Sequence, residues 1–456
     1  MEASVNGTLD LTSQMYPDFD DLIMPMVSPG AGLKQLDGDQ IFDSIFGSNS
    51  SENNEVMLTP DPIEHSSRAP RSSVIVRGYA CDADILNAYY IFIHPFFPIL
   101  PPPEGPPASD CPTGDNHDDY MPSSPITLAI STILALIPSP QNPAPQSEES
   151  VHVRRDRAQL LANMTLESIE IEAEVVASIT TPAQALSSAP SAYNREPFHS
   201  RTPLELESTL AFLLLSIYEY AQRGNLVKMR NRAGQAHDAA IRLSLHEDAE
   251  AANDIVFGEA RRRAWWMTYV CVLQGSIVGS TAPMISANFR QFRMPLPTIA
   301  SDPDAWTQFL DAQHCILRCT QYTVALKKGL SAGSDLSAIQ CRMLALDEET
   351  SNLIANAAPI NSAPTAVLDS NEQVLAASLR AQTHIKLNSC RIKLHRYKAF
   401  LDKPLFTRRH CDLERAEVVD VDETYQLSES LVRLVWFRWF IFHWTDDLAF
   451  RKHRFL

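Results

Sequence analysis

"EARRRAWWMTYVC", residues 259–271, sets three arginines directly ahead of two tryptophans and an apolar run. On a helix, Trp266, Tyr269, Val270, Leu273 and Ile277 share one face at i, i+3, i+4, i+7 and i+11. Arg261, Arg262 and Arg263 then point in successive directions around the first turn, so the stretch reads as a helix with a buried face and an outward cationic rim. Arg261 stands four residues before Trp265 and Arg262 four before Trp266, a spacing that permits guanidinium packing over the indoles. Three cations at a helix N-terminus oppose the macrodipole by roughly 0.3–1 kcal/mol each when exposed. Compensating acids are therefore expected, and Glu259 with the preceding "HEDAEAANDIVFGE" (246–259) supplies them. A structural bridge to a neighbouring helix or loop is the favoured reading over a nucleic-acid contact.

Outward from that helix, the periodicity stays helical. "DADILNAYYIFIHPFFPIL" (82–100) places Ile85, Leu86, Tyr89, Tyr90 and Ile93 at helical spacing before Pro95 and Pro98 end it. "SPITLAISTILALIPSP" (124–140) reads as a short apolar helix central to a bundle. A charged, weakly amphipathic helix is predicted over 151–180. In 202–225 one stripe carries Leu206, Leu210, Leu213, Leu214, Ile217, Tyr218 and Ala221, with Thr202 placed as cap, Pro203 in the first turn and Gly224 as terminator. Further helices are predicted at 226–246, 258–278, 303–330, 335–357, 370–402 and 411–444. No run of alternating strands appears, so the expected class is all-α. The 31 prolines against 15 glycines fit helical blocks joined by proline-rich connectors.

Residues 1–73 differ in kind, with a dozen acids against one lysine, Lys34, ahead of Arg68 and Arg71. Such a segment buries too little apolar surface to offset chain entropy and is expected to be a disordered acidic arm. Within it, "YPDFDDLIMPM" (16–26) and "DGDQIFDSIFG" (37–47) intersperse Phe19, Leu22, Ile23, Ile41, Phe42, Ile45 and Phe46 with aspartates. That alternation suits a partner groove, and it also suits a plain acidic linker with scattered apolar residues. The expected organisation is an arm over 1–73, a helical domain over 74–445 and a basic tail over 446–456. The aromatic block "VWFRWFIFHW" (435–444) either completes the bundle or forms an oligomer contact.

The formal charge of −17 argues against a phosphate-binding surface over the whole chain. Eight scattered cysteines fit a reducing compartment rather than a disulfide scaffold, and no run of about 18 apolar residues marks a membrane span. Cys315 and Cys319 stand one turn apart beside His314 but no second pair follows at zinc-like spacing, so buried core cysteines are expected and no metal is assigned. HExxH, Walker A, GxGxxG and GxSxG signatures are absent from the sequence. Asp118 with Asp119, and "DDLAF" (446–450), are too sparse for a magnesium-dependent cyclase, so no enzyme is expected. "RIKLHRYK" (391–398) reads as a solvated basic face. Any ligand pocket is expected among the apolar helices at 125–137, 206–221 and 264–278.

"HDAAIRLSLHEDAEAANDIVFGEARRRAWWMTYVCVLQGSIVGSTAPMIS" (237–286) resembles the central stretch of the fungal-specific transcription factor domain, the middle homology region of fungal binuclear zinc cluster regulators. The similarity lies in Leu243 to His246, in Arg261, Arg262, Arg263, Trp265 and Trp266, in Gly279 as a glycine turn, and in Pro283 to Ser286. "LNAYYIFIHPFFPILPPP" (86–103), with His94 and Pro95, is similar to that family's opening helix and its exit, and "RIKLHRYKAFL" (391–401) with Cys411 to a late helix. In relatives the tryptophan helix often ends in Gly-Arg-Pro, where this chain reads "GST". The resemblance implies a large helical regulatory domain in a nuclear transcription regulator of metabolic genes, including secondary-metabolite clusters. It further implies promoter DNA as a partner, contact with the transcription machinery or a coactivator through the acidic arm, and homodimer formation. Zinc would belong only to the family's six-cysteine cluster, and nothing before Cys81 is a cysteine. A helical interaction or inhibitory protein derived from such a regulator, without direct DNA binding, is the alternative expectation.

Overall fold

Every residue from Ala264 to Leu273 is buried, so the tryptophan helix has no solvent face along its middle. Sixteen of its 22 residues are buried, more than a one-faced amphipathic helix allows, and this corrects the single stripe expected from spacing. The computed structural model describes residues 75–112, 120–179, 195–285, 288–359 and 370–399. Among these residues 67% are helical and none lies in a strand; the fold is all-α. The acidic arm (1–73), the helix and aromatic block expected over 411–444, the tail (446–456), Asp118, Asp119, Ser286 and Cys411 lie outside the described residues.

Nine α-helices are described: α1 (Asp82–Phe92), α2 (Pro125–Leu134), α3 (Glu148–Ile179), α4 (Leu204–Ala221), α5 (Leu226–Arg242), α6 (Gly258–Gly279), α7 (Ala305–Ala332), α8 (Ser337–Asn356) and α9 (Ser370–Ala399). Helix α4 packs on α2 and α5, α2 also on α1 and α3, α6 on α5 and α7, and α7 on α8 and α9. One apolar cluster runs through all of these layers from Tyr79 to Leu394, with α6 at its middle. Helix α8 is the least anchored: only Leu346 and Thr350 of its 20 residues are buried.

Local chemistry accounts for most helix ends. Ser124 caps α2 by accepting from Thr127 N at 3.2 Å, with Pro125 at the first position, and Asn225 caps α5 by accepting from Lys228 N at 2.9 Å. Gly333, at φ 62°, closes α7 in the left-handed conformation. Thr202 does not cap α4. Pro203 occupies the cap position, and the Thr202 hydroxyl faces His199 Nδ1 at 3.3 Å, which also accepts from Arg201 N at 3.1 Å. The turn after α6 also departs from expectation: Gly279 stays helical and Ser280 takes the left-handed residue at φ 49°.

Gly258 fixes where α6 begins. A Cβ there would lie 2.2 Å from the Ala251 carbonyl oxygen, so the 3-10 turn at Ala249–Ala252 can abut the helix start only if residue 258 has no side chain. Alanine is a better helix former than glycine by about 1 kcal/mol. Gly258→Ala is nevertheless expected to lower stability by about 1–3 kcal/mol, as overpacking against fixed backbone does. A denaturation midpoint equal to or above the parent's would contradict the close approach.

Candidate functional site

The three arginines leave solvent in sequence order. Their side chains are 32%, 12% and 0% exposed at Arg261, Arg262 and Arg263. Arg261 reaches Asp248 at 3.5 Å and Asp254 at 3.6 Å. Arg262 donates to Glu259 Oε2 from Nε (2.9 Å) and Nη2 (2.8 Å), and to the Ala251 carbonyl at 2.7 Å. Acids of the preceding turn thus take up the charge that faces the helix dipole. Neither guanidinium is needed over an indole; the described cation–ring contacts sit instead on Phe92, Phe289 and Phe309.

Arg263 is not on a rim. It is fully buried, and its donors reach three separate parts of the chain. Nε donates to Glu259 Oε1 at 2.6 Å, Nη1 to the Leu100 carbonyl at 3.0 Å and to His94 Nε2 at 3.3 Å, and Nη2 to Glu372 Oε1 at 3.4 Å. Burial opposes charge on Arg263, but the carboxylates of Glu259 and Glu372 outweigh it and hold its pKa above the usual value. Burial likewise opposes ionisation of Glu372, and His94 with Arg263 beside it reverses the direction, leaving its carboxyl below the usual range.

His94 is fully buried, and its pKa falls to about 4 mainly through burial, so it stays neutral. Its Nε2 faces Arg263 Nη1 at 3.3 Å and Glu372 Oε1 at 3.8 Å, and its Nδ1 lies 3.3 Å from the Tyr89 hydroxyl. That hydroxyl accepts from Ile99 N (3.0 Å) and Leu100 N (3.1 Å) and donates to the Phe97 carbonyl (3.3 Å), which fixes the turn that Pro95 and Pro98 force after α1. Beside it, Tyr90 donates to the Pro101 carbonyl at 2.7 Å, and its oxygen faces His199 Nε2 at 3.0 Å. Burial again lowers His199, to about 4.

The two indoles organise the chain beyond α6. Trp266 Nε1 donates to the Pro295 carbonyl at 2.8 Å and its ring meets Phe289, Phe292 and Tyr269 edge-on. Trp265 lies edge-on to Phe292 at 5.0 Å and tilted against His246 at 5.7 Å. Both indoles are 1% exposed, so neither is available for stacking with a base.

Two further features lie away from this cluster. A pocket of about 340 Å³ opens between the first turn of α4 and the segment after α5, lined by Glu205, Leu243, Ser244, Glu247, Asp248 and Arg261 among others. It sits at helix ends, and Leu206, at the start of the apolar helix expected over 206–221, is among its lining residues. Its excess of acids suits a cationic occupant rather than an anionic one. In α7, Cys315 and Cys319 are joined by Cys390 of α9: the three sulfur atoms all lie within 4.8 Å of one another, and all three residues are fully buried. Hydrogen bonds from Cys319 and Cys390 lower the Cys315 thiol, and the same contacts raise its two neighbours. His314 turns away to the Tyr269 hydroxyl.

Sequence reasoning grouped His94 and Arg263 only through the resemblance and missed Glu372, which lies 109 residues beyond Arg263. Cys390 was passed over because no spacing rule links residues 71 apart on two different helices. The chain matches no family model, no curated protein and no solved structure.

Two outcomes follow from this geometry. Arg263→Met removes one partner of a buried ionic cluster and leaves Glu372 without its guanidinium, while Glu259 keeps Arg262, so chemical denaturation should show a loss of about 3–5 kcal/mol; Arg261→Met, at the half-exposed end, should cost under about 1 kcal/mol. A comparable effect at both positions would contradict the burial gradient. His94, His199 and His314 all have folded pKa values of about 4, each through burial first, against 6.5 unfolded. The unfolded chain therefore binds more protons between pH 6.5 and 4. The stability these neutral histidines contribute is complete above pH 6.5 and is lost as pH falls toward 4. Histidine NMR titrations should show three imidazoles that stay neutral down to about pH 4; titration of all three near 6.5 would contradict it.

Proposed function

We propose that this chain is a transcription regulator of the fungal binuclear zinc cluster class, acting in the nucleus through its helical domain on metabolic, including secondary-metabolite, genes. One observation carries the reading: the segments that resemble the family, around His94 and around Arg261 to Trp266, meet in a single buried cluster although 169 residues separate His94 from Arg263. Residues that only sequence similarity had linked share one structural task, which favours a common fold over a chance match of short words. In this reading the domain carries no catalysis, and zinc belongs only to the family's six-cysteine cluster. The acidic arm meets the transcription machinery or a coactivator, and promoter DNA is engaged as family members engage it, with homodimer formation as a further property. The pocket beside Asp248 and Arg261, inside the resembling segment, is the place an effector would act.

A second reading is favoured by the fate of the arginine triplet. All three guanidiniums have acidic partners within the fold, so this basic stretch offers little to phosphate. A helical interaction or inhibitory protein that titrates a partner without touching DNA accommodates that directly. The two readings separate in a reporter assay with the full chain fused to a heterologous DNA-binding module. The regulator reading expects activation that falls to background when residues 1–73 are removed, and nuclear localisation of the tagged chain. No activation, together with unchanged transcripts on deletion of the gene, would overturn it.

A further inference from the structure

Cys315 and Cys319 stand one helical turn apart on α7, so their sulfurs emerge on the same side of that helix. Cys390 meets them from α9. Thr350 closes the group from α8: its Oγ1 lies 3.3 Å from Cys315 Sγ and 2.6 Å from the Leu346 carbonyl. Since that carbonyl can only accept, the hydroxyl proton goes to Leu346 and a lone pair faces the sulfur. The shell is dry, with Leu346 and Leu394 fully buried and Leu387 at 1% exposure. Cations are close by. Lys386, one turn before Cys390 and 6% exposed, holds its ammonium 5.2 Å from the centre of the Phe309 ring, and Arg318 spans α7 to α8 by its bond to Glu349 at 2.6 Å.

We propose that Cys315, Cys319 and Cys390 form a three-thiolate site for a soft monovalent d10 cation of the copper(I) type. Ligand softness selects the ion: thiolates favour copper(I), zinc and iron–sulfur clusters over hard cations. Ligand number selects further. A closed zinc site takes four nitrogen or sulfur donors, and among the described residues no imidazole or carboxylate joins these three sulfurs at ligating distance. Three sulfurs in a dry shell match a trigonal ion that needs no fourth ligand. On binding, three S–H bonds break, three metal–sulfur bonds form and three protons leave to solvent, with no change of oxidation state. The resulting net negative charge lies beside Lys386. Helix α8 covers the sulfurs with its two buried residues, Leu346 and Thr350, and is tied to α7 by Glu349 and to α9 by Asp347, which meets His395 at 2.8 Å. Occupancy would staple α7 to α9 and set how α8 seats, whatever the larger role of the chain.

The test uses the purified, reduced full chain under anaerobic conditions, with copper(I) supplied as its acetonitrile complex against a chromophoric copper(I) chelator. One equivalent per chain should be retained, with X-ray absorption showing three sulfur neighbours and no nitrogen or oxygen. The equivalent should persist when the exposed Cys81, Cys111 and Cys341, together with Cys411, are changed to serine, and disappear in Cys390→Ala. Circular dichroism and the denaturation midpoint report whether Cys390→Ala still folds; should it not, the wild-type absorption spectrum decides by itself. Retention that vanishes with the exposed cysteines, no retention at all, a mixed nitrogen–sulfur shell, or displacement by equimolar zinc(II) would each overturn the proposal.

Discussion

A charged guanidinium with no solvent access is the constraint around which this fold is arranged. Burying an unpaired ion costs several kcal/mol, so Arg263 can occupy the core only while Glu259, Glu372, His94 and the Leu100 carbonyl surround it. These partners come from the first turn of α6, the first turn of α9 and the proline-bounded exit of α1. None of those three segments can move far without stranding the charge. The turn after α1 is closed by backbone bonds from Phe96 N and Phe97 N to the Ile93 carbonyl, and it is held further along by the Tyr89 hydroxyl, which in turn faces His94. Packing of apolar helices gives the bundle its bulk, and the ionic cluster selects which segments face one another.

The same arrangement explains why a stretch with the composition of a nucleic-acid patch does not form one. Arginine beside tryptophan is ambiguous until burial is known. Here the acids that precede α6 neutralise the outer two arginines, and the indoles face inward, holding residues 289–295 through ring contacts and the Pro295 carbonyl. Gly258 makes this possible by letting the 3-10 turn approach closely enough for Ala251 to accept from Arg262.

Helix positions were legible in the sequence because they depend on local spacing and on terminators such as Pro95, Pro98 and Gly224, which takes φ 64°. The helix predicted to start at 82 and end at Pro95, and those predicted over 151–180, 258–278 and 303–330, correspond closely to α1, α3, α6 and α7. What escaped was long-range. Periodicity assigns Arg263 to a rim because three successive arginines cannot all face a core, and nothing within α6 announces that Glu372 will arrive from another helix. Thr202 looked like a cap because its residue type suits one, yet a buried histidine three residues earlier claimed its hydroxyl. Cys390 was invisible beside Cys315 and Cys319 for the same reason: convergence in space leaves no mark on spacing.

Hydrogen exchange in Glu372→Gln tests the central claim most directly, because that substitution keeps the shape of the side chain and removes only its charge. If the buried cluster holds the three segments together, amide protection should fall jointly in the first turns of α9, in the first turns of α6 and in residues 93–100. Loss confined to the residues flanking 372, with α6 and the exit of α1 as protected as before, would contradict the account.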